Sequence, residues 1–414
     1  MKRKSKQLLR LISLMSFLVL TGFNFNTNGQ QVKILSSGYH SFKVPGDYLQ
    51  ERDEIPRFWI TSIEDVTDFL YENVKKGRIE VVGKSAGGRL IRSVSYGKAR
   101  QGKGTSTLSG SLGFGDIQAY RGPDHEKKVY VGISAVHGGE FEGIVGMVNL
   151  ISVIETGKDL RGKEWPEIVE MVNQLDRLVL IPIVNPDGRA RLPLRMEPYR
   201  KTDHTVHEYL NTGGNADGTI TGWPQIKEFI PLDFGKPVFP GGYPNDAGVN
   251  LQHDDFFGTL QPETQVLFDL CERERPDLII NMHTGATFMN LHRSYSEPVL
   301  SPVFDSLYVY VHKRLATEGL QNTKDIELEA NPAYAADGTF NLDWALNLHC
   351  GAMSVVVESP SHGFSGKNQK GEIAFHSPDM LLDAQLFCHQ EAMRFLVESG
   401  GRSKWTPGPV STGK

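Results

Sequence analysis

The sequence predicts an α/β fold in which a mixed or mainly parallel sheet lies between helices. Two observations predict it. Runs such as "KVYVGISAV", "RLVLIPIVN", "PDLIINMHT" and "AMSVVVES" are largely apolar without alternation, the mark of strands buried on both faces. Between them stand "GIVGMVNLISVIE" and "PETQVLFDLCERE", which read as helical stretches. A chain of 414 residues can build one large domain or two ordinary ones, with a buried core in either case.

The elements follow in order. Lys2, Arg3, Lys4, Lys6 and Arg10 precede an apolar stretch from Leu11 to Phe23, which turns polar at "NFNTNGQ". This is the pattern of an export signal over residues 1–29, and the apolar part is short for a membrane span. An uncleaved N-terminal anchor is the alternative. The expectation is a processed chain beginning near Gln30, secreted or periplasmic, with no stable membrane span. "SIEDVTDFLYENVKKG", residues 62–77, reads as an amphipathic helix with a glycine stop. "IEVVGKSAGGRLIRSVSYG" alternates β-branched and polar residues around Gly87-Gly88, a hairpin signal. Residues 100–123 are rich in Gly and Ser and read as a surface loop. Residues 201–248, dense in Gly, Pro, Asn and Asp, are too long for an ordinary connection and read as a functional loop region. The polar tail after Gly400 is expected to be loose.

The formal net charge of −5 gives no electrostatic reason to expect a nucleic-acid partner. Cys271, Cys350 and Cys388 form neither a zinc ribbon nor a disulfide framework, although one bridge stays open.

Polar residues emerge where the apolar strands end, the position at which active sites gather in open α/β sheets. His137 and Glu140 follow "KVYVGISAV", Asn185 follows "RLVLIPIV", His283 follows "PDLIINM" and Glu358 follows "AMSVVV". A His-x-x-Glu spacing is a weak signal alone. After a glycine-loosened turn, however, it directs a ring nitrogen and a carboxylate at one point. A distant second imidazole, most naturally His283, completes a His₂Glu set of the kind that holds one catalytic Zn²⁺ and keeps a position open. Glu358 then reads as a general base beside the metal site, with a buried ion-pair partner as its structural alternative. Asn185-Pro186-Asp187-Gly188 reads as a turn in which Asp187 holds the loop. Glu142 reads as a group that orients a ligand histidine. His204 and His207 read as a solvated pair, with a second metal site as the sharper alternative.

"AVHGGEFEG", "PIVNPDGRARLPLRMEPYRK", "GVNLQHDDF", "LIINMHTG" and "SVVVES" resemble, in order and approximate spacing, the motifs of the zinc carboxypeptidases of the carboxypeptidase A type. "VVGKSAGGRLI" is similar to that family's early strand. The resemblance covers roughly residues 57–400. It implies a mixed, twisted sheet of about eight strands flanked by helices, and a catalytic domain over 57–400. An extension over 30–56 precedes that domain and a tail over 401–414 follows it. It also implies one Zn²⁺ on His137, Glu140 and His283, with Glu358 as general base. Arg200, fifteen residues beyond Asn185, stands where the family places an arginine that polarises the scissile carbonyl. "AYAADGTFNLDWAL" is similar to the segment with the family's mobile tyrosine, matched by Tyr334, and its pocket floor, near Leu342.

One part of the pattern is broken. The family clamps a free α-carboxylate mainly with an Asn-Arg pair, where this chain has Gln252 and His253. The arginine usual between the first two ligands is Gly139 here. Glutamine plus a largely neutral histidine cannot reproduce a bidentate Arg–carboxylate contact, unless His253 is protonated or Arg189 or Arg293 reaches in. The expectation is therefore a zinc metallopeptidase acting on a peptide or amide substrate that can lack a free terminal carboxylate. A zinc amidase or deacylase on a non-peptide or cell-wall amide is the enzymatic rival. A secreted binding protein on the same fold is the rival from another class.

Overall fold

Strand β5 (Val129–Ser134) is buried at every position because it lies inside the sheet, paired in parallel with β6 (Arg177–Ile181) on one side and β7 (Leu278–Ala286) on the other. The computed structural model describes residues 30–34, 40–51, 53–102, 122–222, 231–286, 289–292, 300–320, 340–366 and 372–405. Beyond β7 lies β9 (Met353–Pro360), also parallel, and then the antiparallel edge strand β8 (Asn290–His292). On the other flank β6 pairs antiparallel with β4 (Leu90–Gly97), and β4 with β3 (Arg78–Lys84). The order is β3-β4-β6-β5-β7-β9-β8, a parallel centre with antiparallel margins. Among the described residues the main sheet has seven strands, against about eight expected. A separate hairpin, β1 (Gln30–Ile34) with β2 (His40–Val44), precedes it.

Strand alternation divides the apolar side chains between two layers. Tyr130, Leu178, Leu180, Ile280 and Val355 join a cluster with helices α1 (Ile63–Asn73), α2 (Phe141–Thr156), α3 (Pro166–Gln174), α7 (Ser301–Thr317) and α9 (Pro378–Ser399). Val131, Ile133, Val179, Ile181 and Ile279 face the other way, onto α6 (Pro262–Glu274) and α8 (Leu342–Cys350). Covering both faces explains why these strands read as continuous apolar runs. Helix α2 is buried from Phe141 to Glu155, as its nearly all-apolar sequence requires.

Three differences from the sequence reading have local causes. Helix α1 stops at Asn73 rather than running to the glycine, because the amides of Lys75, Lys76 and Gly77 donate to the Glu155 carboxylate (3.0, 2.8 and 3.0 Å). The 201–248 region contains a helix, α5 (Thr205–Thr212), pinned by buried Val206 and Leu210. The chain past Gly400 is not loose at first: α10 (Arg402–Trp405) buries Arg402 and Trp405. There the Asp277 carboxylate accepts from the amides of Arg402 and Val129 (2.8 Å each) and from Arg100 Nη2 (2.8 Å). The Asp277 carbonyl also accepts from the Met353 amide at 2.9 Å. The starts of β5, β7 and β9 and the C-terminal helix thus meet at one residue, Asp277. The hairpin and the parallel centre stand as expected, and the first helix stands over a shorter span; residues 1–29 and most of the 100–123 loop lie outside the described residues.

Candidate metal centre and active site

Beyond β5 the chain turns sharply through Ala135, whose φ of 52° is left-handed, and delivers His137 into a turn that opens α2. Gly138 is required there: a Cβ would lie 2.0 Å from the Arg189 amide nitrogen and 2.1 Å from the Gly188 carbonyl carbon. The turn is packed against the backbone of α4 (Pro186–Ala190), whose N-cap Asn185 accepts from the Gly188 amide at 2.8 Å.

Three strand-end side chains converge. His137 Nδ1 lies 2.8 Å from Glu140 Oε1, His283 Nδ1 lies 3.1 Å from Glu140 Oε2, and the two Nδ1 atoms are 3.2 Å apart. All three residues are buried. Burial alone would raise the Glu140 carboxyl, but the two imidazoles outweigh it and hold it down to about 2. Burial alone would lower His283, but Glu140, with Glu358 and Asp343, lifts it to about 9. Burial prevails at His137 and lowers it.

The donor set fits zinc. Two imidazole nitrogens and a carboxylate are a His₂Glu set, and their ligand atoms all lie within 4.8 Å of one another. Beyond the 3.1 Å approach of His283 Nδ1, Glu140 Oε2 makes no well-formed hydrogen bond, so it is an acceptor left for a cation. His137 Nε2 faces Asn250 Oδ1 at 3.0 Å. The proton belongs on Nε2 in that contact, which leaves the Nδ1 lone pair toward the site.

Glu358 stands opposite His283 in the parallel β7–β9 register and is half-buried. Burial, with Glu140 adding to it against His283 and His207, raises its carboxyl to about 7. Tyr243 lies on the other side, its ring stacked on His137 with centroids 3.6 Å apart and planes 6° from parallel.

The family model for zinc carboxypeptidases matches residues 68–366. The chain belongs to that family. It is a zinc-dependent metallopeptidase by family, with a peptide substrate class. A protein from Burkholderia mallei assigned as a carboxypeptidase has the same fold at 14% identity and a TM-score of 0.51, covering 89% of this chain and 79% of that one. A metallo-carboxypeptidase from Burkholderia cenocepacia gives 14%, 0.50, 91% and 82% on the same measures. A search of curated protein sequences gave no match.

The other residues expected from the zinc carboxypeptidase pattern are placed as follows. Arg200 donates from Nη2 to the Asp47 carbonyl at 3.0 Å, with its guanidinium over Tyr48. Gln252 is buried with both amide ends engaged, Nε2 on Asp343 Oδ2 at 2.9 Å and Oε1 near Asn281 Nδ2 at 3.3 Å. His253 Nδ1 lies 3.3 Å from the Phe340 carbonyl. Leu342 is fully buried in the core beneath the sheet, with Leu346 and Cys350. Tyr334 and Arg293 lie outside the described residues. Arg189 does not reach in: it donates to the carbonyls of Thr61, Leu192 and Leu194. At Gly139 a Cβ would lie 2.2 Å from Asn211 Oδ1, so α5 occupies the space an arginine side chain would leave through.

Two expectations about neighbouring groups change. His204 and His207 are not a solvated pair. His207 is buried, 2.9 Å from Glu197 Oε2 and 2.9 Å from Asn211 Nδ2, and His204 stacks on Phe364 at 3.9 Å. Glu142 orients no ligand histidine; its Oε1 accepts from the His362 amide at 2.8 Å. Asp187 does hold its loop, accepting from Ser85 Oγ, the Gly87 amide and Arg89. Sequence reasoning misses Asn250 and Tyr243. Both lie in the loop region, where no strand-end position marks them.

Proposed function

We propose that this zinc carboxypeptidase family member is an exported hydrolase cleaving a peptide bond that carries no free α-carboxylate beside it. One observation carries the reading. The ligand atoms of His137, Glu140 and His283 lie within 4.8 Å of one another, with Glu358 beside His283 in strand register, while Gln252, His253 and Gly139, at the clamp positions, are bonded internally or have no room for a cationic side chain.

Zinc bound by His137, Glu140 and His283 supplies Lewis acidity to the amide carbonyl and to the attacking water. Glu358 takes the proton from that water and passes it to the leaving nitrogen, a task its elevated carboxyl suits. Asn250 keeps His137 in the tautomer that presents Nδ1. Arg200 enters through its spacing from Asn185; to steady the carbonyl oxygen its guanidinium must first leave the Asp47 carbonyl. The same closed clamp wall favours a second reading, hydrolysis of a non-peptide amide. The Lys/Arg-rich start followed by a short apolar stretch supports export with a cleaved signal over residues 1–29.

A matched panel of peptides with free and amidated C-termini, incubated with zinc-loaded protein and read by mass spectrometry, tests the substrate claim. Cleavage of the amidated peptides at rates no lower than the free ones is expected. A strong preference for free C-termini would sink it, and a non-peptide amide cleaved in place of both sets would shift the reading to the amidase. N-terminal sequencing of the exported chain should begin near Gln30; an intact Met1 chain retained inside the cell would end the export proposal.

A further inference from the structure

Resting on the zinc hydrolase reading and deepening it, we infer that Tyr243 is a positioning residue of the metal centre. It fixes the tilt of the His137 ring by stacking.

The His137 ring retains one freedom. Contacts at both ring nitrogens, Nδ1 to Glu140 at 2.8 Å and Nε2 to Asn250 at 3.0 Å, define an axis through the ring. They hold the ring along that axis and leave it free to tip about it. A tipped ring aims its Nδ1 lone pair away from the point shared with His283 and Glu140. The Tyr243 ring, 3.6 Å away and 6° from parallel, meets the histidine face to face and blocks that motion on one side.

The tyrosine is itself held by the ligand turn. Its amide donates to the Asn211 carbonyl at 3.0 Å, and its own carbonyl accepts from Asn185 Nδ2 at 2.9 Å. The preceding Gly242 donates to the Leu210 carbonyl at 2.9 Å and accepts from the Gly138 amide at 2.9 Å. Gly138 adjoins His137, so the stacking partner and the ligand share one hydrogen-bonded frame and cannot shift independently.

The test compares the full chain with Tyr243→Leu, which removes ring and hydroxyl, and Tyr243→Phe, which keeps the ring. Zinc affinity is measured against a competing chromophoric chelator, and the visible spectrum is recorded after Co²⁺ loading. Tyr243→Leu is expected to weaken zinc binding about tenfold to hundredfold, the range for partners that orient metal ligands. Tyr243→Phe, which keeps the ring stack, should retain the parental affinity and Co²⁺ bands. If Tyr243→Leu does not fold, Tyr243→Met takes its place with the same expected loss. Parental affinity and spectrum in the variant that lacks the ring would overturn the proposal, as would a loss in Tyr243→Phe as large as in that variant. A parent chain that binds no zinc would bring down the metal reading itself, a separate result.

Discussion

Two walls meet at this centre, and their polar atoms are treated in opposite ways. The wall from the ends of β5, β7 and β9 leaves capacity open: Glu140 Oε2 and His283 Nε2 are buried without hydrogen-bond partners. In the wall from residues 241–253 the clamp-position amide is turned away from the cluster: Gln252 Nε2 donates to Asp343 Oδ2, an acceptor it shares with Asn281 of β7. A buried group without a partner costs stability unless something else binds it, so the first wall is built for a ligand. The second is built to stay closed. On the function proposed above, this is how a zinc carboxypeptidase fold would keep its hydrolytic set while giving up terminal-carboxylate recognition.

Substitutions can break or sharpen that contrast. His283→Ala should do the most, removing both bound zinc and activity; metal analysis showing full zinc occupancy would deny the open wall its purpose. Glu358→Gln should lower kcat about 10²–10⁴-fold, the range for losing a general base, with zinc content unchanged. A near-normal kcat would remove Glu358 from the mechanism. Gly138→Ala pushes a Cβ into the Arg189 backbone and should cost about 1–3 kcal/mol of stability or more by overpacking, measured by denaturant unfolding. Gln252→Ala strips a donor from Asp343 and should cost about 1–3 kcal/mol. The ratio of blocked to free peptide cleavage should not move; if it does, the closed wall touches substrate after all.

The smallest effect concerns pH. Burial alone would lower the His207 imidazole, but Glu197, with Glu142 and Glu140 beyond it, raises it. A histidine raised on folding contributes stability in full below its unfolded value, about 6.5, and loses it as pH rises through the folded value. Replacing His207 by glutamine should therefore flatten the stability profile above neutrality. An unchanged profile would leave that pair without a stabilising role.

The open wall was legible in the sequence and the closed one was not. His137, Glu140, His283 and Glu358 each end an apolar strand, so a local pattern announces them. The strands buried on both faces announce the sheet in the same way. Tyr243 and Asn250 are brought in by a loop whose path depends on Gly138, Gly242 and α5 meeting across long sequence distances, and no periodicity encodes that. His207 looked solvated because a His-x-x-His spacing says nothing of Glu197, ten residues upstream. Helix α1 ended early for a similar reason, since Glu155 captures the three amides from far along the chain.

The Asp277 carboxylate sits at the opposite end of the strands from the chemistry, yet β5, β7 and β9 all begin beside it. Arg402 belongs to the same knot, its Nε on the Gly351 carbonyl at 2.7 Å. Trimming a protein of this kind at Gly400 to make it tidier for crystals or fusions would therefore loosen the footing of every strand that carries a ligand or the base. An affinity handle belongs beyond Trp405, and a shortened version with poor turnover should be checked for a slipped strand before its active-site residues are blamed.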